Sequence, residues 1–243
     1  GGSLSMRATR TEFAPLSSVD TDPITAGGRI EIGGGASIVS DGGFVEIGLN
    51  TASSAAGANQ VVINGRIDTS WEIDRTGGSV YLETGGEGAS VTIADTSPGD
   101  GVATQIFTQG GLILSVGSGS FRLEDAVLDA RSHASLDPDL ALSDVGIIHA
   151  GDVNLVESAG AETRVVADTA IRITPGLQDG TGNLTFTGAP ELIAEEIRLE
   201  VGDGHGGEST AGTIDLGAAE FHDHPGATTS PLRFSLLQEA ELA

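Results

Sequence analysis

A glycine pair followed by alternating apolar residues returns again and again along this chain. It stands at Gly1 ("GGSLSM"), Gly27 ("GGRIEI"), Gly42 ("GGFVEI"), Gly77 ("GGSVYL") and Gly110 ("GGLILS"). Single-glycine versions follow at Gly151 ("GDVNLV"), Gly182 ("GNLTF") and Gly212 ("GTIDL"). From Gly42 onward these starts lie 35, 33, 41, 31 and 30 residues apart, which reads as a repeat with insertions of variable length.

The residues after each glycine alternate with a period of two, the period of a strand with one buried and one wet face. In "EEIRLEV", Ile197, Leu199 and Val201 share one face and Glu196, Arg198 and Glu200 the other. In "FRLEDAVLDA", Phe121 and Leu123 oppose Arg122 and Glu124. Val80, Leu82, Phe121, Leu123, Ile197 and Leu199 are therefore expected in the core. "PELIAEEIRLE" contains good helix formers, but its second half alternates and reads as strand. The tail "FSLLQEAELA" fits helix or strand.

Many short strands with glycine turns suit a sandwich, a barrel or a solenoid. Three features favour the solenoid. Glycines open the strands, where a coil turning a corner would use their freedom to adopt positive φ. Aromatic residues make up 4% of the chain, few for a sandwich core. Small residues fill the spaces between strands, as closely stacked coils require. Asn64–Gly65, ordinarily a hairpin signal, reads here as a corner between two strands. The expectation is an all-β β-solenoid in one elongated domain over residues 1–243. Residues 1–26 form its first coil and loop, 27–216 its best-matching coils, and 217–243 a last coil or terminal segment. At roughly 25 residues per coil it would hold about eight to ten coils.

Charge narrows the partners. The chain carries 35 acidic and 11 basic residues, a formal net charge of −24. Nucleic acid is not an expected partner, because phosphate binding needs a basic surface. Anionic membranes are disfavoured for the same reason, and no apolar run reaches the roughly 18 residues of a membrane span. There is no cysteine, hence no disulfide and no thiolate metal site. No signal peptide is visible and the chain starts at Gly1, so it is expected to be a segment of something longer. Such a segment, its coil ends uncapped, is expected to associate end to end when salt screens its charge.

The stretch "NQVVINGRIDTS…TGGSVYLETGGEGASVTIAD" resembles the repeat region of filamentous-haemagglutinin-type exoproteins. The resemblance is clearest over residues 27–130 and extends more weakly to about Leu216. It implies a right-handed parallel β-helix, export by an outer-membrane transporter, and secretion or display on a bacterial cell surface. The family's secretion domain carries Asn-Pro motifs. This chain has no Asn-Pro dipeptide, so the expectation is a stretch of fibre without that domain.

Three local features bear on chemistry. "FHDHPG" places His222, Asp223 and His224 in a pattern that puts two imidazoles on one face of a strand, where they could share a metal. Glu220 and His205 are further potential ligands. The plain alternative is a polar loop closed by Pro225–Gly226. "VGDGHGGEST" faintly resembles a calcium-binding nonapeptide, in one irregular copy. Asp137, Asp139 and Asp144 form an acidic insertion, but Asp-Pro-Asp is more simply a turn. Trp71 and Tyr81 are the only residues of their types, which offers no aromatic platform for sugars. No catalytic constellation and no cofactor site emerges. The leading expectation is a non-enzymatic structural or adhesive segment of a β-helical fibre, presenting surfaces to a cell-surface glycan or protein receptor. The alternative is a polysaccharide-acting β-helix lyase or hydrolase, which would need carboxylates from successive coils aligned on one face.

Overall fold

The computed structural model describes residues 4–9, 28–40, 43–50, 59–70, 78–85, 88–96, 103–131, 144–176, 182–201, 212–223, 232–236 and 241–242. The described residues form 23 strands and no helix. The strands visit three sheets in strict rotation, so every third strand pairs with the one before it in the same sheet. Two sheets hold eight strands and the third holds seven. Every pairing among the described strands is parallel. The fold is a β-solenoid: a triangular coil whose walls are three parallel sheets.

The first sheet begins with Leu4–Thr9, the second with Arg29–Ile32 and the third with Ser37–Val39. Along the second sheet, Ile30, Val61, Val91, Phe121, Val153, Leu184 and Ile214 stack in one inward column. From Val61 to Ile214 all of these are fully or almost fully buried. Val80, Leu82, Phe121, Leu123, Ile197 and Leu199 all point inward and are buried, as alternation predicts. Parallel rungs repeat at about 4.8 Å, so each aliphatic side chain packs on its counterparts above and below. The core is one continuous column rather than a central cluster.

The register corrects the expected coil length. Equivalent residues of the second sheet recur almost evenly, from Val61 to Val91, Phe121, Val153, Leu184 and Ile214. A coil is therefore nearer 30 residues than 25. The first sheet is far less even: Leu4 sits under Val45, but Val145 under Ile171 and Ile171 under Ile197. A long corner in one part of a coil is offset by short corners elsewhere. The irregular step between Gly110 and Gly151 combines a change of wall with a long connection between strands Val127–Ala130 and Asp144–Ala150. Gly110 precedes a first-sheet strand and Gly151 a second-sheet strand, so that step crosses from one wall to another.

The role of the strand-opening glycines also differs from expectation. Among the described residues, the glycines with positive φ are Gly35, Gly88, Gly117, Gly160, Gly176, Gly188 and Gly217, none of which opens the repeat unit. Gly119, Gly151, Gly182 and Gly212 instead form a column at the entry to the second sheet. A Cβ on any of them would strike a carbonyl oxygen of the coil below; at Gly151 it would lie 2.5 Å from the Ser118 oxygen. These glycines are needed for close backbone approach. The same closeness lets the Gly151 N–H donate to the Gly119 carbonyl at 2.5 Å.

Buried polar side chains bind rungs to one another. Asn59 is fully buried. Its Oδ1 accepts from the Gly28 N–H at 3.0 Å and its Nδ2 donates to the Gly85 carbonyl at 2.6 Å. One amide thus joins three successive coils. Asn64 lies at the corner between strands Gln60–Ile63 and Arg66–Asp68, as read from Asn64–Gly65.

Two substitutions separate these effects. Leu199→Asp places an unpaired carboxylate in the aliphatic column and is expected to cost about 3–5 kcal/mol. Gly151→Ala adds one methyl group against rigid backbone and is expected to cost about 1–3 kcal/mol. Urea unfolding of both variants checks the order. An unchanged midpoint for Leu199→Asp contradicts the inward assignment, and an unchanged midpoint for Gly151→Ala contradicts the close-approach reading.

Candidate functional site

With the interior filled by aliphatic residues, chemistry is confined to the three outward faces. Residues two apart on a strand project from the same side, and arginines use this spacing repeatedly. Arg29 pairs with Glu31, Arg66 with Asp68, Arg122 with Glu124, Arg131 with Asp129 and Arg198 with Glu196. Burial acts to raise the Asp68 carboxyl. Hydrogen bonds from the Ser70 hydroxyl, the Ser70 N–H and Arg66 outweigh it and hold the group below its ordinary range. The hydrogen bond from Arg122 likewise holds Glu124 low.

The third sheet carries the one group of three metal-capable side chains among the described residues: Glu191, Glu220 and His222. Glu191 of strand Glu191–Ile193 lies directly against Glu220 of strand Glu220–His222. Their ligand atoms and a His222 ring nitrogen lie within 4.8 Å of one another. His222 Nε2 is 3.2 Å from Glu220 Oε2 and 3.8 Å from Glu191 Oε1. On its other side, Glu191 Oε2 faces Arg164 Nε at 3.2 Å, and Arg164 also pairs with Glu162. His222 can hydrogen-bond Glu220 through Nε2. The triad can also draw a small cation to the sheet face, in competition with Arg164 for Glu191.

The sequence pattern pointed to His222, Asp223 and His224. The structure joins His222 to Glu220, which that reading named as a further ligand, and to Glu191, which it did not name. Asp223 follows the strand and is exposed. His224 and His205 lie outside the described residues, as do Asp137, Asp139 and the residues of "VGDGHGGEST" after Val201. Asp144 begins strand Asp144–Ala150. Glu191 was hidden in sequence because it is one coil away from Glu220. A register, not a motif, brings the two together.

The second sheet carries two carboxylates, Asp152 and Asp215, two coils apart and in different outward columns, with Asn183 and Thr185 on the coil between them. Asp152, Asn154, Asn183, Thr185, Thr213 and Asp215 line a shallow polar trough. Asp152 Oδ1 accepts from both the Asn183 N–H and its side-chain amide at 3.0 Å. Asn183 Oδ1 in turn accepts from Thr213 Oγ1 at 2.7 Å, and Asp215 Oδ1 accepts from the Gly217 N–H at 3.1 Å. The contacts from Asp152 through Asn183 to Thr213 form a rung-to-rung ladder, and the Asp215 contact closes a local turn, which accounts for these residues structurally.

The first sheet holds a feature that sequence reading missed. Phe44 and Tyr81 meet edge to face, with ring centroids 5.9 Å apart and planes at 83°. Counting only Trp and Tyr overlooked the phenylalanine one coil below. The signal was the step from Gly42 to Gly77, which is the true coil length there, since Val45 pairs with Val80. No family model, curated protein or solved structure matches this chain.

The lowered Asp68 and Glu124 carboxyls make a prediction about acid. A group whose folded pKa is depressed adds stability above its unfolded pKa and loses it as pH falls through the folded value. The Asp68→Asn variant removes one such group. Its melting temperature is expected to lie below that of the parent at pH 7, with the gap closing below about pH 4. Scanning calorimetry from pH 7 to pH 2.5 checks this, and a gap constant with pH contradicts the stabilising role of the charged form.

Proposed function

We propose that this chain is a structural and adhesive segment of a secreted or surface-displayed β-helical fibre, of the filamentous-haemagglutinin type its repeats resemble. Its work is to hold recognition surfaces away from a cell and present them. One observation carries this reading. Inward positions keep the same character from rung to rung while outward positions do not. On the second sheet the outward column beside the aliphatic one runs Glu31, Val62, Thr92, Arg122, Asn154, Thr185 and Asp215. A solenoid of this kind keeps its backbone constant and varies the side chains it displays at intervals of about 4.8 Å.

The acidic surface fits a partner that is neutral or basic, since long-range repulsion turns away anions. Asp152 and Asp215 on the second sheet do not stack on one another, and each is held by structural hydrogen bonds, Asp152 to Asn183 and Asp215 to the Gly217 N–H. That favours presentation over hydrolysis, and the segment is proposed to be no enzyme. Export through an outer-membrane transporter, and a glycan or protein receptor on another cell, follow as parts of the same proposal.

Labelled chain is expected to bind saturably to at least one member of a panel of extracellular-matrix proteins, immobilised glycans and whole epithelial cells. The same chain is expected to release no new reducing ends from neutral or uronate-containing polysaccharides. Absence of binding across the panel overturns the adhesive reading. Depolymerisation lost on replacing Asp152 or Asp215 puts the enzyme in its place.

A further inference from the structure

The paired rings of the first sheet sit in an unusual setting for so acidic a surface. Phe44 and Tyr81 each remain more than a third exposed, at 37% and 38%. They line an open cleft of about 350 Å³ together with Glu46, Glu83, Ile113 and Ser115. The placement follows from register. Tyr81 stacks between Glu46 below and Ile113 above, and Glu83 stacks between Gly48 and Ser115. Gly48 has no side chain beyond its backbone, which leaves room beside Glu83. Phe44, just before strand Val45–Asn50, leans its ring against Tyr81.

Two nearly perpendicular rings and two carboxylates have one shared chemical preference. An aromatic face attracts a cation through its quadrupole, and a carboxylate attracts it by charge and hydrogen bonding. A guanidinium satisfies both at once, because it is planar, stacks on rings and forks onto carboxylates. A free small molecule is a poorer fit: sites for those enclose most of their ligand, and this cleft lies open along the sheet. An arginine carried on a protein surface brings its own flanking contacts, and Ile113 offers an apolar floor for its methylene stem.

We propose that the Phe44–Tyr81 cleft docks an arginine side chain of a basic partner protein, with Glu46 and Glu83 holding the guanidinium between them. This rests on the adhesive reading and names the partner class for one of its surfaces. The net charge of −24 steers such a partner toward the rod from a distance. The rings and carboxylates select arginine at contact. Lysine fits less well, since its ammonium is more strongly hydrated and cannot stack.

The test uses three short peptides on the intact chain: Gly-Leu-Arg-Leu-Arg-Gly, its lysine counterpart and its citrulline counterpart, all blocked at both ends. Citrulline keeps the planar shape and removes the charge. Heteronuclear NMR shifts and calorimetry are read for the parent, Tyr81→Leu, Glu83→Gln and a control, Glu200→Gln, farther up the same sheet. The arginine peptide is expected to bind the parent best. Binding should weaken about two- to fivefold in Tyr81→Leu and by a similar factor in Glu83→Gln, and remain unchanged in Glu200→Gln. Equal binding of the citrulline peptide overturns the proposal. So does equal loss in all three variants, which would mark diffuse charge attraction, and so does absence of any binding. Adhesion of the parent and of Tyr81→Leu to the same surfaces separates the two readings. If both adhere equally, presentation stands and this cleft is not the site. If neither adheres while the peptide series behaves as expected, the cleft stands and adhesion falls.

Discussion

Everything in this molecule depends on the parallel hydrogen bonding of one coil to the next. A single coil has three short strands and a thin row of aliphatic side chains, too little to fold alone. Stacked in register, each row covers the row below and every backbone group along a strand finds a partner in a neighbouring coil. Stability in such an array grows by nearest-neighbour terms. This explains why the inward positions Val61, Val91, Phe121, Val153 and Leu184 vary so little in character. It also explains the buried polar residues. Asn59 reaches both ways along the axis, and Thr108, fully buried, bonds the Gly78 carbonyl of the coil below.

The corners obey the same constraint in a different form. Where two coils come closest, at the entry to the second sheet, there is no room for a Cβ, and glycine follows glycine from Gly119 to Gly212. At other corners different glycines take positive φ, and among the described residues Asp125 does so as well. Asp125 is held there by its neighbours: its N–H donates to Thr163 Oγ1 at 2.8 Å and its Oδ1 accepts from the Ser158 N–H at 2.7 Å.

Alternation made the strands and their inward faces readable from sequence, because a period of two survives any error in coil length. "EEIRLEV" is the plainest example: Ile197, Leu199 and Val201 are buried as its pattern requires. The coil length was harder. From Gly42 to Gly110 the glycines mark first-sheet strands and from Gly151 onward second-sheet strands, so counting between them mixed two walls. The candidate sites suffered most from this. Glu191 beside Glu220, and Phe44 beside Tyr81, are neighbours across coils, and no local motif announces a contact between residues some thirty positions apart. Once Val45 is known to sit under Val80 the first contact follows, and the second needs the separate register of the third sheet, where Leu192 sits under Phe221.

The evenness of the second sheet has a consequence for how such a chain changes length. Gly151, Gly182 and Gly212 occupy equivalent seats, each against the carbonyl of the coil below. A genetic exchange between two neighbouring seats removes or duplicates one whole coil. It joins positions whose backbone paths already coincide, and the inward column continues with Val153, Leu184 or Ile214 in the same place. Copy number is therefore the cheapest heritable variable this architecture has, and the displayed surface is shuffled in units of one rung.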